Sequence, residues 1–226
     1  MTPRQLTLSL NLKGKFTAED FLVAPANAAA HGIVTVWPDW PGRSLLLIGP
    51  PGSGKSHLVA IWAEKSGAQA YEAADLSPDF VAEVAEGAVV AVENIDVSGV
   101  SESFLFHLLN AAREKNAGFL LTASQPLSLI WPKLPDLASR LRQLPQAELQ
   151  PPGDGLVRAV LVKLFDDRQL AVDAEVIDYI ARRMERSLGA ARELVAALDE
   201  EALALGRRVT KPVASAVLAR LTSDVD

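Results

Sequence analysis

The first residues of the chain alternate, with Leu6, Leu8, Leu10 and Leu12 set against Thr7, Ser9 and Asn11. A period of two predicts a strand, or a tail that becomes a strand when it meets a partner. From Ser44 the pattern changes to short apolar runs: Leu-Leu-Leu-Ile at 45–48, Val-Val-Ala-Val at 89–92 and Phe-Leu-Leu at 119–121. Each run is too short for a free-standing helix and is apolar on both faces, as strands of a parallel sheet are. Helices are predicted between them, over 55–65, from the Ser77-Pro78 pair (an N-cap, then a first-turn proline), and over 101–115. Alternating strands and helices imply a doubly wound α/β sheet. After Pro151-Pro152-Gly153 the strands stop, and 156–165, 174–184, 188–205 and 212–221 all read as helices. In the third, Leu188, Ala191, Val195, Leu198, Ala202 and Leu205 recur at three- and four-residue steps and form one apolar face. The expected division is a tail at 1–14, an α/β domain at 15–151 and a small all-helical domain at 152–226.

Composition narrows the function more than the fold. Of the 226 residues, 49% are hydrophobic and 22% charged, which argues against wholesale disorder. Lys and Arg total 22 against 28 Asp and Glu, a net charge of −6, so binding to nucleic acid through a broad basic face is not expected. The chain has no cysteine, which excludes disulfides and thiolate-held metals. Its opening, Met1-Thr2-Pro3-Arg4-Gln5, lacks the apolar core of a secretory signal, and the uncharged stretch at 21–37 contains Pro25, Asn27, His31 and Gly32. A cytoplasmic address is the expectation.

The strongest chemical signal is Gly49-Pro50-Pro51-Gly52-Ser53-Gly54-Lys55-Ser56, which fits the phosphate-binding pattern G-x-x-x-x-G-K-[ST]. It follows an apolar run and opens a helix, the context in which the pattern has a mechanism. Gly52 and Gly54 let the loop around Pro50 and Ser53 curl so that backbone N–H groups point at phosphate oxygens. The helix N-terminus adds its dipole, Lys55 reaches the β- and γ-phosphates, and the Ser56 hydroxyl ligates Mg²⁺. The run at 89–92 ends in Glu93-Asn94-Ile95-Asp96. Glu93 suits a magnesium-bound water. Asn94 stands where a hydrolysing site places an acid, and an amide orients water without taking its proton. If Asp96 continued the strand, it would point to the same side as Asn94, a full repeat farther on. Weak or absent intrinsic hydrolysis is the expectation, with Asn94 as a harmless variation in an active ATPase left open.

These residues resemble the AAA+ module of DnaA-related proteins, and most of all the Hda type, which acts in regulatory inactivation of DnaA. The resemblance runs over nearly the whole chain. Phe21-Leu22-Val23-Ala24-Pro25-Ala26-Asn27 is similar to the family's adenine-pocket border, and Gly54-Lys55-Ser56-His57-Leu58 to its form of the phosphate loop. Phe106-His107-Leu108-Leu109-Asn110 stands where the family has a similar helix. Residues 119–124 resemble the sensor 1 strand, although the family often has Asp or Asn where Ser124 stands. Leu134-Pro135-Asp136-Leu137-Ala138-Ser139-Arg140-Leu141 resembles the box that carries the family's arginine finger, which makes Arg140 the finger. Gly189-Ala190-Ala191-Arg192-Glu193-Leu194 resembles sensor 2, with Arg192 as the residue that contacts bound phosphate. The tail Gln5-Leu6-Thr7-Leu8-Ser9-Leu10 is similar to the hexapeptide that binds the DNA polymerase III sliding clamp (its beta subunit) through Gln5, Leu6, Leu8 and Leu10; an edge strand explains the same pattern.

The resemblance implies an AAA+ P-loop fold with a helical lid, ADP or ATP with Mg²⁺ as cofactors, and DnaA and the clamp as partners. It carries neither DnaA's helix-turn-helix domain nor its long N-terminal domain, so sequence-specific DNA binding is not expected. The implied role is a regulator that offers Arg140 in trans to ATP-bound DnaA. The alternatives are a self-hydrolysing DnaA-like ATPase and a small P-loop kinase. His31, His57 and His107 show no metal-ligand spacing, and the basic spots at Arg182, Arg183, Arg186, Arg207 and Arg208 read as solvated faces. The tryptophans of Trp37-Pro38-Asp39-Trp40 are expected over the core edge, with one within possible reach of a base.

Overall fold

A computed structural model of the chain describes residues 16–126 and 133–223. The alternating tail, with Gln5, Leu6, Leu8 and Leu10, lies outside the described residues. The chain divides into two compact units, one over Phe16–Pro151 and one containing Pro152–Asp226.

The first unit runs α1 (Ala28–Thr35), β1 (Ser44–Ile48), α2 (Lys55–Ser66), β2 (Gln69–Glu72), α3 (Phe80–Glu83), β3 (Val89–Glu93), α4 (Glu102–Glu114), β4 (Gly118–Ala123), α5 (Pro135–Gln143) and β5 (Gln146–Glu148). The sheet order is β2-β3-β4-β1-β5 and every pairing is parallel. Parallel neighbours require a crossover, and helices supply most of it here. In register, Leu45 lies beside Leu120 and Leu46 beside Leu121. Alternate residues feed two cores. Leu46, Ile48, Val90, Val92, Phe119 and Leu121 pack with α4 and α5, whereas Leu45, Leu47, Ala91 and Leu120 pack with α1 and α2. This double burial is the physical reason that β1, β3 and β4 read as continuous apolar runs.

The helix expected from Ser77-Pro78 is shorter. The carbonyls of Ser77 and Pro78 accept turn hydrogen bonds from Phe80 and Val81, and α3 begins only at Phe80 with Asp79 as its N-cap. Ser101 does cap α4, its hydroxyl accepting from the Phe104 N–H at 3.1 Å. Trp37 and Trp40 are buried and pack with Trp62 at ring distances of 4.9–5.3 Å, so they belong to the core.

The second unit contains α6 (Asp154–Asp167), α7 (Ala174–Ala181), α8 (Leu188–Leu205) and α9 (Lys211–Ser223). Its core gathers Val157, Leu161, Phe165, Ile177, Ile180, Leu194, Val195, Leu198 and Val217. Ser187 caps α8 by accepting from the Ala190 N–H at 3.2 Å, and Gly206 ends it in the left-handed region at φ 60°.

Candidate nucleotide site

Because every strand runs the same way, the chain leaves β1, β2, β3 and β4 at a common edge, the carboxyl edge where α/β sheets hold ligands. The loop after β1 is anchored on both flanks. The Gly49 N–H donates to the Ala123 carbonyl at 3.1 Å, and the Leu149 N–H donates to the Ile48 carbonyl at 2.7 Å. Gly49 has no room for a side chain, since a Cβ there would lie 2.7 Å from the Ser53 hydroxyl and 2.8 Å from the Leu149 Cβ. Gly52 and Gly54 hold φ of 68° and 107°, conformations that other residues rarely adopt. Gly54 is also the N-cap of α2 and offers no side chain to its first-turn amides, which leaves those donors for an anion.

Lys55 is 7% exposed, and its ammonium donates to the carbonyls of Gly49 at 2.6 Å and Pro50 at 3.2 Å. Burial lowers its pKa, while the charges of Asp96 and Glu93 pull it back up. Ser56 donates its hydroxyl to Glu93 at 2.6 Å, joining the two residues expected to hold Mg²⁺. The Glu93 pKa is raised mainly by burial and further by the Glu72 charge, against the Ser56 hydrogen bond and Lys55. The Ser53 hydroxyl is buried without a hydrogen-bond partner among the described residues. Curled glycines, uncapped amides, a buried ammonium held by two carbonyls and an orphaned hydroxyl together fit a phosphate with magnesium. A nucleoside di- or triphosphate is the ligand class that matches.

Asn94 departs from the strand. Its φ is 58°, with its N–H donating to the Thr122 hydroxyl at 2.9 Å and its side-chain amide donating to Glu72 at 2.9 Å. The chain therefore turns after Glu93, and the expectation that Asp96 repeats the strand direction of Asn94 is corrected. The Ile95 N–H donates to the Thr122 carbonyl, and Asp96 accepts the Ser124 N–H at 2.7 Å. Glu72, from an edge strand that periodicity did not reveal, enters the site by the same turn.

The residues expected to border adenine divide. Phe21 is buried, stacked on His31 at 5.4 Å and edge-on to His57 at 5.1 Å. The Leu22 carbonyl accepts from Asn27, whereas Val23 is 56% exposed. His57 is buried, with Nε2 2.7 Å from the Thr17 carbonyl. It ties the entering segment to α2, a role that a motif position does not reveal.

Arg140 lies on α5, half-buried, with its guanidinium 5.0 Å above the Phe106 ring and no hydrogen bond or ion pair among the described residues. The carboxylate of Glu102 accepts the N–H groups of Lys133 at 3.0 Å and Leu134 at 2.8 Å, holding the segment that opens α5. Arg192 is half-buried on α8, next to the buried Ala191 and two residues before the buried Leu194.

Residues 154–218 match the family described as Hda, lid domain. Over 235 aligned residues the chain is 26% identical to the chromosomal replication initiator protein DnaA of Thermomicrobium roseum, an alignment covering 91% of this chain and 49% of that protein. The chain thus spans about half the length of the curated relatives it matches. Domain III of the Thermotoga maritima replication initiation protein DnaA superposes with a TM-score of 0.78 at 19% identity, covering 92% of this chain and 97% of that one. A replication initiator DnaA bound to AMPPCP and single-stranded DNA superposes with a TM-score of 0.68 at 17% identity, covering 82% and 65%. No helix among the described residues is long and apolar enough to cross a membrane. Parallel sheet, flanking helices, phosphate loop and helical C-terminal unit make this an AAA+ fold, similar to the DnaA initiators over most of the chain and to the Hda lid family over 154–218.

Proposed function

We propose that this protein is an adenine-nucleotide-binding regulator of replication initiation that, with the DNA-loaded sliding clamp, stimulates ATP hydrolysis by DnaA through Arg140. Backbone amides of 52–56 and the Lys55 ammonium hold the phosphates of ADP or ATP, and Ser56 and Glu93 hold Mg²⁺. The bound nucleotide supplies the negative charge that the loop is built to receive. Phe21, Leu22, Val23 and His57 border the base, Ser124 and Arg192 lie at the sensor positions, and Gln5, Leu6, Leu8 and Leu10 engage the clamp in the cytoplasm.

The observation that carries this reading is Asn94. Where a hydrolysing site keeps an ionisable group, this chain has an amide turned toward Glu72 at 2.9 Å, beside a Ser56–Glu93 pair suited to the metal. Such a site holds nucleotide and does not take a proton from water through Asn94. Arg140 supports the same reading, because its guanidinium is stacked on an aromatic ring and committed to no acid among the described residues. Offered to the phosphates of a neighbouring protein, a guanidinium neutralises the charge that builds during transfer, an effect worth about 10³–10⁵ in rate.

The test is hydrolysis of DnaA-bound ATP with and without this protein and DNA-loaded clamp. Stimulation by the wild-type chain and its loss in Arg140→Ala, with nucleotide binding by this chain retained, is the expected result. Equal stimulation by both proteins removes Arg140 from the role. A second reading, a self-hydrolysing DnaA-like ATPase, is favoured by Asp96, whose carboxylate enters the same site. Rapid phosphate release by the isolated chain selects it.

A further inference from the structure

Asp96 carries an oxygen that the described molecule does not account for. One carboxylate oxygen, Oδ2, accepts the Ser124 N–H at 2.7 Å. The other, Oδ1, is buried and has no hydrogen-bond partner among the described residues. Leaving a buried carboxylate oxygen unpaired is costly, so such groups call for a partner that arrives with a water, an ion or a ligand. The neighbourhood says which kind. The charges of Asp96 and Glu93 both favour the Lys55 ammonium, yet Lys55 spends its donors on the Gly49 and Pro50 carbonyls and forms no ion pair with Asp96 among the described residues.

The position of this oxygen is built. Asn94 leaves β3 in the left-handed conformation, Thr122 holds the turn through its hydroxyl and its carbonyl, and Ser124 pins the far side of the carboxylate. Three contacts from β4 and its exit thus fix a residue of the β3 exit. A carboxylate held in this way is a ready acceptor for a strongly polarised O–H. The waters that Mg²⁺ keeps when it binds through one or two protein groups are donors of that kind.

We propose that Asp96 is a third acid of the nucleotide site, accepting a hydrogen bond from a water on the magnesium ion that Ser56 and Glu93 hold. It is a positioning residue, acting on the metal through that water and not as a direct ligand. The inference rests on the reading of the loop as a nucleotide site, and its test keeps the two apart.

Asp96→Asn preserves the shape and an acceptor for Ser124 and replaces the orphaned oxygen with a donor. Titration of the purified chain with ADP and with ATP, each in Mg²⁺ and in EDTA, measures how much the metal tightens binding. For the variant, affinity in EDTA is expected to stay within about twofold of wild type, while the gain from Mg²⁺ falls about tenfold, the worth of one charge-assisted hydrogen bond. Asp96→Glu, which keeps a carboxylate, is expected to recover part of that gain, and it also answers the case in which Asp96→Asn melts early. An unchanged Mg²⁺ gain in Asp96→Asn overturns the proposal. So does an equal loss of affinity with and without the metal, because Asp96 then acts on Lys55 or the loop alone. Absence of nucleotide binding by the wild-type chain is a different failure, that of the site itself.

Discussion

Lys55 and Glu93 hold opposite charges in one buried neighbourhood, and burial shifts each toward its neutral form. For Glu93 the sign has a measurable consequence. Its folded pKa lies above the ordinary value of 4.5, so the stability tied to its protonated form is present below that value and lost as pH rises through the elevated one. Glu93→Gln keeps an acceptor for Ser56 and mimics the protonated form at every pH. The melting temperature of the variant relative to wild type, without nucleotide, is therefore expected to climb with pH through this window and level off above it. A difference that is flat with pH contradicts a raised Glu93. Residue identity made Lys55, Ser56 and Glu93 legible from sequence, because each sits at a fixed place in a motif. Asp96 was not legible as a site residue, since its direction depends on the left-handed turn at Asn94, and no periodicity encodes a single backbone dihedral.

Elements tell a similar story through burial. β1, β3 and β4 were readable because neighbours on both faces remove water from nearly every side chain. β2 was not, because Gln69, Ala70 and Glu72 are exposed on an edge strand, nor was β5, whose three residues bury only Ala147. α1 escaped for the same reason, with only Ala30 and Val34 buried. The strand that ends at Glu72 thus delivers a carboxylate to the site without a hydrophobic signal. Packing is tight where β4 begins. A Cβ on Gly118 would lie 2.2 Å from the Trp37 ring, and Trp37 is itself wedged between Trp40 and Trp62. Gly118→Ala is accordingly expected to destabilise the protein by about 1–3 kcal/mol, read from denaturant unfolding, because the ring has nowhere to retreat. Unfolding at the wild-type midpoint contradicts this packing.

Taken whole, the chain joins an α/β unit that bears the phosphate loop, the turn at Asn94 and the Arg140 helix to a helical unit with its own core. In the proposed reading the α/β unit serves two phosphates, one bound at its own loop and one in a partner reached by the half-buried Arg140. Both roles depend on the loop after β1 binding a nucleotide. Calorimetric titration of the folded wild-type chain and of Lys55→Ala, with ADP and with ATP in the presence of Mg²⁺, reads that dependence directly. Saturable binding of at least one nucleotide to the wild type, weakened about 100-fold or more by loss of the ammonium, is the predicted result, on the scale of a few kcal/mol for a charged hydrogen-bonding group. A folded wild-type chain that takes up neither ADP nor ATP, or a Lys55→Ala variant that binds as tightly as wild type, contradicts the account.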